Sequence, residues 1–85
     1  MIQEIVQGVD STGKEHEFEI SDGLLALCRG LAYSTGTDIG KIYSGGVDMA
    51  VKLNIEPSFR TLVLYLNEKY PEEMKGLRED IREDI

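Results

Sequence analysis

The chain has 85 residues, 41% of them hydrophobic, and carries sixteen acidic against nine basic side chains, a formal charge of −7. That length holds one domain with a small core, because so short a chain buries only about two-thirds of its unfolded surface; a P-loop enzyme, a TIM barrel or a two-domain dehydrogenase will not fit. The acidic balance repels phosphate and anionic membrane, and it suits solubility or a partner with a basic surface.

Residues 1–20 hold five acids and one base, and they read as a β-hairpin. Glu15-His16-Glu17-Phe18-Glu19-Ile20 alternates strictly, which sets the glutamates on one face and His16, Phe18 and Ile20 on the other. Ile2 to Val9 supplies the partner strand. Asp10-Ser11-Thr12-Gly13-Lys14 between them carries turn chemistry, with Gly13 at the left-handed position of a three-residue loop.

Period 3.6 then takes over. Ser21 is placed as an N-cap, and Leu24, Leu27, Cys28 and Leu31 make an i, i+3, i+4, i+7 stripe. Gly30 and Ser34-Thr35-Gly36 end this helix, and Thr37 caps the next. In that second helix Ile39, Ile42, Tyr43, Gly46, Ala50 and Leu53 share one side. Lys41, Ser44, Asp48 and Lys52 share the other, with Asp48 and Lys52 spaced to pair. Gly45-Gly46 costs about 1 kcal/mol per glycine against alanine, so that segment either packs closely or bends.

Asn54 and Ile55 break the pattern, and Pro57 suits a first helical position. Phe59, Leu62, Val63, Leu66 and Tyr70 form a third stripe, which Leu64 and Tyr65 widen. Pro71 stops this helix and opens a charged segment whose apolar residues, Met74, Leu77, Ile81 and Ile85, form a thin seam. A seam so thin gains little by docking on its own core. The fold class is therefore α+β, an N-terminal β-hairpin packed on a cluster of three to four α-helices. Residues 1–70 form one domain (1–20 hairpin, 21–70 helical), and 71–85 form a charged helix or tail.

Gly36-Thr37-Asp38-Ile39-Gly40-Lys41 falls short of a phosphate-binding loop. It has three residues between its glycines instead of four, and Ile42 stands where a Ser or Thr would hold magnesium. His16 and Cys28 are the only residues of their kinds. Alternation turns His16 away from its neighbouring glutamates, and Cys28 sits among leucines, where a thiol behaves as a buried hydrophobe. No catalytic set, metal site or cofactor site emerges. A single Cys excludes an intramolecular disulfide framework. No apolar run approaches the ~20 residues that span a bilayer, and the first residues lack the basic start of a secretory signal. A cytoplasmic location without membrane association is expected.

Residues 48–66 have the rhythm of a helix-turn-helix unit, with Ser58 and Arg60 as the candidate DNA contacts. Its second helix, however, reads Arg60-Thr61-Leu62-Val63-Leu64-Tyr65-Leu66, apolar where a groove needs basic side chains. A DNA-binding regulator is thus the alternative expectation. The leading one is a small acidic, non-enzymatic regulatory or interaction protein, of a composition common among phage- and plasmid-encoded regulators. It binds a protein partner with a basic surface, using Glu15, Glu17 and Glu19 as the electrostatic half of the contact. Leu64, Tyr65, Ile81 and Ile85 are the apolar half. An isolated hairpin leaves two unpaired edges, so self-association as a homodimer is expected too.

Overall fold

A computed structural model describes residues 3–75. The elements run β1 (Gln3–Val9), β2 (Glu15–Ser21), α1 (Asp22–Thr35), α2 (Ile39–Leu53) and α3 (Phe59–Lys69), followed by a helical turn, α4, over 71–75. This is the expected α+β arrangement of a hairpin and four helices. Ile2 and the tail beyond Lys75, with Leu77, Ile81 and Ile85, lie outside the described residues.

The strands pair antiparallel, with Val6 opposite Phe18, Gly8 opposite His16 and Ile5 opposite Glu19. Alternation along both strands then sorts the side chains. Val6, Gly8, Phe18 and Ile20 are buried, while Ile5, Gln7, Val9, Glu15, Glu17 and Glu19 face solvent. The turn is organised by the Asp10 carboxylate. Its Oδ1 accepts from the Thr12 and Lys14 amides and from the Thr12 hydroxyl, and Gly13 takes φ +89° to close the loop.

Ser21 caps α1 as expected, its hydroxyl accepting from the Leu24 amide. Gly30 does not end this helix, which continues to Thr35 and stops at Gly36 in the left-handed conformation. Asp38, not Thr37, caps α2, because its carboxylate reaches the Gly40 amide. Pro57 likewise stands before the helix, and Ser58 is the N-cap of α3. There the Ser58 amide donates to Thr61 Oγ1, whose hydroxyl donates back to the Ser58 carbonyl. Thr61 is thereby satisfied although fully buried.

The core joins Val6, Phe18 and Ile20 of the hairpin to Cys28 and Leu31 of α1, to Ile42, Tyr43 and Val47 of α2, and to Leu62 and Leu66 of α3. Tyr70 and Met74 complete it, so packing runs past the expected domain limit at residue 70. Helix α2 lies between β1 and α3, and glycines let it approach both. A Cβ on Gly8 would stand 2.7 Å from the Tyr43 carbonyl oxygen, and one on Gly46 would stand 3.0 Å from Leu62 Cα. The glycine pair thus serves close packing. Because α2 is covered on two sides, Val47 is fully buried and Ser44 is half-buried, whereas Leu53, past the contact, is exposed. Phe59, expected in the third stripe, is also exposed, since α3 buries Thr61, Leu62 and Leu66 instead. Lys52 does not pair with Asp48; its Nζ lies 4.0 Å from Glu68 Oε1 on α3, an exposed contact worth little.

Candidate functional site

Among the described residues nothing packs on the outer face of the hairpin, a surface two strands wide. Register places Glu15 opposite Val9, Glu17 opposite Gln7 and Glu19 opposite Ile5. The Gln7 side chain donates through Nε2 to Glu17 Oε1 at 2.9 Å, and Ile5 and Val9 are 64% and 41% exposed. A row of carboxylates therefore runs beside two aliphatic side chains that none of the described elements covers. Ile5 and Val9 were missed as site residues in the sequence. The signal that finds them is the turn, since a loop closed by Asp10 and Lys14 fixes which residue of β1 faces each glutamate.

The predicted apolar half lies elsewhere. Leu64 is exposed on α3, and Tyr65 is half-buried, its ring seated over Gly45 and edge-on to Tyr70 at 6.3 Å between centroids. Tyr65 lines a groove of about 300 Å³ between α2 and α3 with Asp48, Met49, Lys52, Glu68 and Lys69. No hydrogen bond or ion pair joins this groove to the glutamate face among the described residues. Ile81 and Ile85 fall outside those residues. Of the DNA candidates, Ser58 is taken up in capping α3, and the Arg60 guanidinium lies 5.9 Å from the Phe59 ring.

The two hairpin edges differ. The Asp10 amide donates to the Lys14 carbonyl, so the alternation of an antiparallel ladder turns the backbone groups of Val9, Gln7, Ile5 and Gln3 away from β2. The Val9 amide is met by the Ser44 hydroxyl of α2 at 3.0 Å. Those of Gln7 and Ile5 open onto a groove of about 440 Å³ lined by Glu4, Ile5, Val6, Gln7, Leu25, Arg29, Ile39 and Tyr43. The opposite edge belongs to Glu15, Glu17 and Glu19, whose charges discourage a further strand.

Nucleophilic chemistry finds little footing among the described residues. His16 Nε2 shares a 2.9 Å hydrogen bond with Asp10 Oδ2. The Thr12 hydroxyl first, and then His16, hold the Asp10 carboxyl well below the usual carboxylate range. Cys28 is fully buried, and burial pushes its thiol up to about 11, so hardly any thiolate exists at neutral pH. No group of three or more His, Cys, Asp or Glu among the described residues could hold a metal ion. No helix among them is long and apolar enough to cross a membrane. Comparison with known protein families, with curated proteins and with solved structures finds no match to this chain.

Proposed function

We propose that this chain is a small non-enzymatic interaction protein that works as a homodimer and binds a protein partner through the outer face of its hairpin. One observation carries the reading: Glu15, Glu17 and Glu19 stand in register with the exposed Ile5 and Val9 on a face that none of the described residues covers. A matching partner presents Lys or Arg side chains around an apolar centre. Its charges steer the encounter with a chain of net charge −7, and burial of Ile5 and Val9 supplies most of the holding energy.

The test is a tagged pull-down from host lysate with the wild-type chain and with the E15K/E17K/E19K variant, in nuclease-treated and untreated halves. The reading expects one protein retained at comparable stoichiometry in both halves by the wild type and lost by the variant. Equal retention by the variant would remove the glutamates from the contact. Recovery of nucleic acid in place of a protein would favour the helix-turn-helix alternative built on Ser58 and Arg60.

A further inference from the structure

We infer that the self-association proposed above, on which this inference rests, uses the Gln3–Gln7 edge of β1, paired antiparallel with the same edge of a second copy. The backbone amides of Ile5 and Gln7 point away from β2 and have no hydrogen-bond partner among the described residues. Three features select a second copy as the occupant.

The first is charge. Glu4 and Arg29 line the same groove beside this edge and make no ion pair among the described residues. A two-fold axis through the edge sets the Glu4 and Arg29 of both copies along one seam, so the surface carries charges of both signs to pair across it, as a closed dimer requires. The second is the other edge. Two β2 edges brought together would oppose two rows of glutamates, and like charges on adjacent strands destabilise pairing. Among the described residues, that leaves the Gln3–Gln7 stretch of the β1 edge for pairing.

The third is the width of the layers. Two strands cover about 10 Å, while two packed helices span nearly twice that. The hairpin is thus narrower than the helical layer beneath it, and Leu25 and Ile39 are left half-buried at its margin. With the two-fold at Ile5, Gln3 of each copy faces Gln7 of the other. The two hairpins become one four-stranded sheet with all helices on one side. Leu25 and Ile39 of both copies meet beneath the seam.

Sedimentation equilibrium of the purified full chain tests this, with Glu4→Arg, Arg29→Glu and the double exchange as variants. Both sites are exposed, so the fold tolerates the changes. Each single reversal is expected to weaken dimerisation about tenfold, and the double exchange to restore most of the loss. Amide exchange supplies a backbone readout: Ile5 and Gln7 should exchange slowly in the dimer and quickly on dilution to monomer. A wild-type chain that stays monomeric at ~1 mM would overturn both the edge and the self-association. A dimer indifferent to the exchanges, with Ile5 and Gln7 still exchanging fast, would overturn the edge alone. Neither result bears on capture of a partner by the glutamate face.

Discussion

At the hairpin turn one carboxylate serves two backbone amides, the Thr12 hydroxyl and His16, and its charge is what makes it so effective an acceptor. Because the Asp10 carboxyl is held below its ordinary range in the folded chain, ionised Asp10 favours folding. That contribution is complete above its unfolded pKa of about 4 and disappears as pH falls through the lower folded value. Asp10→Asn should therefore be less stable than wild type at neutral pH, and the difference should narrow as pH drops below ~4. Urea unfolding of both chains across a pH series checks the sign. Glycines at two contacts should behave differently. At Gly8 an added methyl meets the Tyr43 carbonyl oxygen, a backbone atom that cannot turn aside, so Gly8→Ala should cost about 1–3 kcal/mol. At Gly45 the nearest atom is closer still, but it belongs to the ring end of half-exposed Tyr65. That ring can swing outward, and alanine returns about 1 kcal/mol of helix propensity. Gly45→Ala should be the milder change, and the two unfolding midpoints decide it.

Among the elements, α1 carries a glycine with no such purpose. Gly30 is exposed inside the helix, and a Cβ there would meet nothing within 4 Å. Gly30→Ala should therefore stabilise the protein by about 0.5–1 kcal/mol, read as a higher urea midpoint. The same residue marks what the sequence could express. Alternation over Glu15–Ile20 and the leucine stripe of α1 announced the element order, because local periodicity follows directly from which face is buried. Gly30 looked like a stop only because local propensity cannot register the packing of Cys28 and Leu31 that carries the helix through it. Thr37 and Asp38 are both competent caps. The choice between them depends on which side chain reaches the Gly40 amide, a matter of geometry and not of residue type. Ser44 and Val47 were illegible for a larger reason. Their burial comes from β1 on one side of α2 and α3 on the other, and no single helical stripe encodes two neighbours. Of the candidate site, the glutamate row could be read from one strand alone. Its aliphatic companions could not, since Ile5 and Val9 join it only through the register across the turn.

For the molecule as a whole, the hairpin sets three carboxylates beside two exposed aliphatic side chains, and the proposed contact is built on that pairing. The E15K/E17K/E19K variant changes side chains that face solvent and make few internal contacts, so its far-ultraviolet circular dichroism should match that of wild type. Its association with a captured partner should be slower and less sensitive to salt. A loss of helical signal would mean that the glutamates support the fold instead. The most direct measurement is the ¹H–¹⁵N correlation spectrum of the labelled chain, recorded with and without the captured partner. The largest shifts are expected at Ile5, Val9, Glu15, Glu17 and Glu19, with α3 nearly unchanged. Shifts concentrated on α3, around Ser58, Arg60 and Leu64, with the hairpin undisturbed, would contradict the proposed contact.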